Sequence, residues 1–246
     1  MAQYERPSFG RTATTGTAAS IDQGLRAYMN RVYGLMAGGV ALSGVVAYAI
    51  ANTPALAQAI YGTPLRWVVM LAPLAFIFLI GFRAHKMSES GALATFWAFA
   101  GVMGASLGMI FLVFTGAQIT QAFLITAIAF MAMAGYGYVT QKSLSGWGSF
   151  LFMGVIGLIL ASLLNLFMQS SALQFAISAL GVLIFAGLTA YDSQRLKNEY
   201  LYLADADGGA AYMGKSAIFG ALSMYLNFIN MFQSVLSLMG IMGGDE

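Results

Sequence analysis

Asp192 is the residue of this chain best placed to do chemistry away from water, because it directly follows the apolar run Gly181–Tyr191. A carboxylate inside a membrane has its charged form disfavoured by desolvation, so it becomes proton-sensitive unless a cation or hydrogen-bond donors hold it. Position alone also allows a plainer reading, a solvated carboxylate at a helix end paired with Arg195 or Lys197. Arg83, which ends an earlier apolar run on the same side, is the long-range alternative partner. Polar residues also recur at helical spacing. Ser223, Asn227, Asn230 and Ser234 fall at i, i+4, i+7 and i+11, and Ser162, Asn165 and Gln169 at i, i+3 and i+7. Each set is one stripe of a helix. Lipid solvates such stripes badly, so they predict a polar cavity or a hydrogen-bonded seam, with the last helix central and wrapped by the others.

Enzymatic chemistry finds little support. The chain has no cysteine and a single histidine, His85, which reads as a wetted loop residue. That excludes disulfides, thiolate metal sites and a zinc-binding helix motif. No glycine-rich phosphate loop precedes a helix. Asp205-Ala206-Asp207-Gly208 begins like a calcium loop, but its twelfth position is Ser216 where a bidentate Glu is needed. Proteolysis by paired aspartates needs two of them within spans, and only Asp192 is near one. The expectation is therefore no enzyme, no cofactor and no assigned metal site.

The elements that must position these residues are membrane helices. Hydrophobic residues make up 59% of the 246, and Asp, Glu, Lys and Arg only 8%, against about a quarter in an ordinary soluble domain. An apolar helix crosses about 30 Å of hydrocarbon with about 20 residues. Seven stretches qualify: Met29–Ile50, Trp67–Phe82, Leu93–Phe114, Gln121–Val139, Phe150–Met168, Leu173–Tyr191 and Ala217–Met239. Turn chemistry separates them at Asn52-Thr53-Pro54, Gly62-Thr63-Pro64, Ser145-Gly146 and Asp207-Gly208-Gly209. The organisation expected is a mobile cytoplasmic tail over 1–27, a seven-helix transmembrane domain over 28–241 and a short acidic end over 242–246. Gly34/Gly38 and Gly104/Gly108 are small-residue pairs that let helix backbones approach. They permit dimers without demanding them, so the oligomeric state stays open.

Orientation follows the basic residues. With the N-terminus in the cytoplasm, ten of the eleven Lys and Arg lie inside and only Arg66 outside. The net charge of +2 reflects those loops. No basic patch interleaves with exposed aromatics, so no nucleic-acid partner is implied. The expected partner is the lipid bilayer.

Five stretches resemble the Bax inhibitor-1 family of transmembrane proteins. They are Val32-Tyr33-Gly34-Leu35-Met36-Ala37-Gly38-Gly39-Val40, Phe82-Arg83-Ala84-His85-Lys86-Met87-Ser88, Leu144-Ser145-Gly146-Trp147-Gly148-Ser149-Phe150-Leu151, Gly187-Leu188-Thr189-Ala190-Tyr191-Asp192, and Ala221 to Phe232 with Leu226-Asn227-Phe228-Ile229-Asn230 at its heart. The resemblance runs in order from about residue 28 to 240 and is most specific in the last two stretches. It implies a seven-helix bundle in a cell inner membrane, crossed many times, with the last helix at its centre. It also implies a calcium leak channel sensitive to pH, in which two aspartates share a proton and latch a pore and an arginine engages the first of them. Those positions here are Asp192, Asn227 and Arg83, and Asn227 departs from the family's Asp. An amide donates and accepts hydrogen bonds but does not titrate, so a latch bond to Asp192 survives while like-charge repulsion is lost. The reading is a calcium leak with reduced or shifted pH gating, calcium being cargo. The alternative is a non-conducting regulator that binds membrane proteins such as a membrane-bound ATP-dependent protease, with the tail as its handle.

Overall fold

The computed structural model describes residues 12–243, with side chains described from Ser20 onward except that of His85. The expectations for residues 1–11, for His85 and for 244–246 lie outside the described residues. The helices, in order, are α1 (Thr12–Ala51), α2 (Pro54–Tyr61), α3 (Leu65–Arg83), α4 (Glu89–Leu107), α5 (Ile110–Val113), α6 (Gly116–Val139), α7 (Ser145–Met168), α8 (Ser171–Asp205) and α9 (Ala210–Met242). Seven stretches of the described chain are long and apolar enough to cross a membrane: α1 from Ser20, α3, α4 with α5, α6, α7, α8 and α9.

Local chemistry fixes the helix ends. Ser88 and Ser170 each accept the backbone N–H three residues on, and Thr115 with Gln118 forms a capping box ahead of α6. Such caps satisfy amides that the helix itself leaves unpaired. Pro54 opens α2, where its missing N–H costs nothing. Tyr61 closes α2 by donating its hydroxyl to the carbonyl of Ala105 at 2.5 Å, and burial pushes that phenol above its ordinary range. The turn after α8 carries Gly208 at φ 75°, a conformation that glycine adopts without strain. The third span differs from its expected continuous course, since α4 stops at Leu107 and a separate turn, α5, starts at Ile110.

Packing follows burial. α9 packs against α8, α1, α4 and α6, whereas α7 leans chiefly on α8 and α3 on α4. Tyr225 of α9 enters between Phe96 and Phe99 of α4, with ring centroids 6.1 and 5.8 Å away. One turn on, Phe228 meets Phe123 and Phe130 of α6 at 5.6 and 5.5 Å. These edge-on contacts suit the aromatic quadrupole and lock α9 between α4 and α6. The phenol of Tyr225 is paired with Ser43 Oγ at 2.6 Å, and Ser43 also donates to backbone carbonyls of α1 and α4. Elsewhere large apolar side chains such as Phe82, Phe150, Phe152 and Phe167 point outward, an arrangement that water would punish and lipid solvates.

Glycine allows the closest crossings. A Cβ on Gly137 of α6 would meet the carbonyl oxygen of Ala190 in α8, and one on Gly104 of α4 would meet the backbone of Ser43 in α1.

Three helices outrun the bilayer. α1, α8 and α9 have 40, 35 and 33 residues, hence lengths of about 50–60 Å at 1.5 Å per residue. Their excess lies at one end, where Tyr28 packs on Tyr200 with centroids 5.4 Å apart and bonds Ser216 at 2.7 Å. Ser216 in turn donates to Glu199 at 2.6 Å. Part of the tail expected over 1–27 is therefore ordered: residues 12–27 continue α1, with Leu25 buried in the joint. Threonine, alanine and serine there form no apolar run, so composition hid a helix stabilised by tertiary contact.

Candidate functional site

Asp192 lies in α8 at the inner face of its contact with α9, 5% exposed. Its Oδ2 accepts from Asn227 Nδ2 at 2.7 Å and from Ser223 Oγ at 2.9 Å. Its Oδ1 pairs with Arg195 at 2.9 Å, one helical turn on, and Arg195 also donates to Ser223 Oγ at 3.3 Å. Ser223 and Asn227 share a face of α9 because they are four residues apart, so one short stretch supplies both neutral donors. The carboxylate thus sits in a charge-assisted set of three donors. A buried carboxylate left unpaired costs several kcal/mol, roughly; here a cation and two hydroxyl or amide donors offset that penalty.

The neighbouring residues hold α8 from other directions. Ser193 donates to the carbonyl of Ala134 in α6 at 2.8 Å and bonds the Tyr33 hydroxyl of α1 at 2.9 Å. Gln194 accepts the backbone N–H of Leu144 at 2.7 Å and donates to the carbonyl of Lys142 at 2.9 Å, clamping the α6–α7 connection. Lys197 donates to the carbonyl of Tyr138 at 3.0 Å. Successive residues point about 100° apart on a helix, so Asp192, Ser193 and Gln194 reach three different neighbours. Three consecutive polar residues closing an apolar run were the available sign of a helix enclosed on all sides.

The remaining expected residues divide. Arg83 ends α3 exposed, and among the described residues it makes no hydrogen bond or ion pair. α3 packs on α4 rather than α8, so the local partner Arg195 replaces it. Asn230 and Ser234 bond back to carbonyls of their own helix, Leu226 and Asn230, at 2.8 Å each. Ser162 is exposed on α7, and Asn165 instead organises the α7–α8 turn through Ser170 and Gln174. The α7 stripe is therefore not a lining of the seam, because α7 is peripheral. Asp205 ends α8 and Asp207 follows it, both exposed, about 20 Å along the helix from Asp192.

At the opposite end of α9 a cavity of about 780 Å³ opens among Ser106, Phe114, Gln118, Gln233 and Ser237. Between it and Asn227 the helix is packed, with Phe228, Met231 and Phe232 buried. Among the described residues, no group of three or more Asp, Glu, His or Cys is disposed to hold a metal ion.

Residues 25–244 match the family model described as inhibitor of apoptosis-promoting Bax1. The chain belongs to the Bax inhibitor-1 family. It is 45% identical over 230 residues to an uncharacterized protein of Caulobacter vibrioides, covering 90% of this chain and 91% of the relative. It is 38% identical over 218 residues to the inner membrane protein YbhL of Escherichia coli K12, covering 88% and 92%. An uncharacterized Rickettsia prowazekii protein, RP147, is 39% identical over 229 residues, covering 92% and 94%. With seven spans and these relatives, the protein is a multi-pass inner-membrane protein.

Proposed function

We propose that the protein is a cation leak pathway, for calcium, whose inner closure is the bond between Asp192 and Asn227. The observation that carries the reading is the buried carboxylate held across two membrane-spanning helices by side chains alone. Intramembrane ionisable groups are expensive and mark ion pathways by default. In this reading the N-terminus is cytoplasmic, α9 is the central helix, and the packed stretch between Asn227 and the outer cavity makes this the closed arrangement. Opening separates α8 from α9, releasing the carboxylate to face the pathway. Asn227 does not titrate, so like-charge repulsion adds nothing to opening and the pH dependence is shallower than a paired-carboxylate site would give.

Calcium flux into liposomes from pH 6 to 8 tests this. Wild type should conduct, Asp192→Asn should change the flux, and Asn227→Asp should steepen its pH dependence. Absence of flux in all three, with the proteins folded and inserted, refutes the channel.

The projecting ends of α1, α8 and α9 favour a second reading, a regulator that docks membrane-protein partners there. Tyr202 and Tyr212 are exposed on that projection. Deleting residues 1–25 would remove the buried Leu25, so Tyr202→Glu with Tyr212→Glu is the cleaner probe. Regulation lost with flux intact supports docking; unchanged regulation removes it.

A further inference from the structure

A second cavity, of about 460 Å³, lies between α1 and α6 at the end that carries Asp192. Arg26, Asn30 and Tyr33 line it from α1, and Gly135 and Tyr138 from α6. We propose that this groove binds the headgroup of an anionic phospholipid, a glycerol phosphodiester such as phosphatidylglycerol.

Position comes first. Gly135 and Tyr138 belong to the last turns of α6, a helix of 24 residues. Such a helix is about 36 Å long and spans the hydrocarbon with little to spare. Its end therefore lies at headgroup depth, and the groove is lined from two helices, α1 and α6.

Charge comes next. Among the described residues Arg26 makes neither an ion pair nor a hydrogen bond, whereas Arg31, further along α1, is paired with Glu89. Asp22 precedes Arg26 by one turn but forms no ion pair with it. Among the described residues no carboxylate lines the groove. Lys197 adds a second positive charge at its edge, with its Nζ 5.3 Å from the centroid of the Tyr138 ring. A guanidinium fork matches two phosphate oxygens at once, and Asn30, four residues on, presents amide donors on the same face. Basic pockets between membrane helices are where anionic headgroups settle.

The hydrogen-bond directions define the other half of the ligand. Ser193 spends its hydroxyl hydrogen on the carbonyl of Ala134. Tyr33 must then be the donor in its bond to Ser193, which leaves the Tyr33 oxygen with a free lone pair beside the groove. That acceptor suits a glycerol hydroxyl, whereas the methylated ammonium of a choline headgroup carries no N–H or O–H to donate to it.

Native mass spectrometry of the delipidated full chain, titrated with dioleoyl phosphatidylglycerol or dioleoyl phosphatidylcholine, tests the proposal. Wild type should bind the glycerol lipid more tightly than the choline lipid. Arg26→Gln should weaken the former about fivefold, the worth of one basic side chain near an anionic surface. Lys142→Gln, on the same side but outside the groove, should change nothing, and neither variant should alter the melting temperature. Equal affinity for both lipids in the wild type overturns the proposal. An equal loss in both variants overturns it in favour of diffuse surface charge. Displacement of the lipid by millimolar glycerol 3-phosphate overturns it in favour of a soluble phosphoester.

Discussion

Replacing Asn227 by Asp puts a second carboxylate where the amide nitrogen now lies 2.7 Å from Asp192 Oδ2. Two unit charges about 4 Å apart repel by about 4 kcal/mol at an effective dielectric of about 20, equivalent to about three pH units. Arg195 stands on the other carboxylate oxygen at 2.9 Å, but its side chain is 44% exposed, so solvent screens it and it returns only part of that energy. The folded variant therefore keeps one proton in the pair that the unfolded chain releases. Because the folded state binds more protons, stability falls as pH rises, starting near the ordinary carboxylate range and levelling off once both groups ionise. At 1.36 kcal/mol per unit, and with Arg195 returning part of the repulsion, the variant loses at most about 2.7 kcal/mol between about pH 5 and about pH 7 relative to wild type. For a chain of this size that limit corresponds to a relative drop in melting temperature of about 5–11 °C. Thermal melts in detergent at a series of pH values read it directly. A variant whose melting temperature follows the wild-type pH profile refutes the assignment of these two side chains to one hydrogen-bonded pair.

Two further substitutions test how the site is supported. Gly137→Ala sets a Cβ against the carbonyl of Ala190, so α6 and α8 must separate by about 1 Å and stability should fall by about 1–3 kcal/mol or more; an unchanged denaturation midpoint would contradict the crossing. Ser43→Ala strands the buried Tyr225 hydroxyl, whose only partner among the described residues is Ser43, and should cost about 1–3 kcal/mol. Tyr225→Phe leaves Ser43 its two carbonyl acceptors and should cost less, so a reversed order in melting temperature would overturn this account of the core.

Much of this was legible before any coordinates. The spans follow from length and hydropathy, and the i, i+4 spacing of Ser223 and Asn227 placed both on one face, while the meeting of Asn227 with Asp192 was implied by the family resemblance alone. What remained hidden depended on which helices are peripheral. Arg83 and Ser162 carry the right chemistry on α3 and α7, but those helices face lipid with most of their surface, and no periodicity in their own residues says so. The choice of Arg195 was open for the same reason, since a local and a distant cation look alike along a chain. Residues 12–27 concealed a helix because the contacts described there, such as that of Gly24 with Tyr200, are made with residues far away in sequence.

α9 is the least apolar of the seven spans and the most buried among the described residues. During synthesis it is also the last of them to leave the ribosome, so the helix that lipid would accept least readily arrives when the other six are already in place. Its polar face has no good solvent until it reaches Ser43 and Asp192, and until it comes Asp192 keeps only Arg195 of its own helix. Biogenesis must therefore pass through a six-helix intermediate with an open polar slot. A chain truncated before Ala210 would be trapped there, with a carboxylate turned toward lipid and a surface that quality-control machinery could read as unfinished.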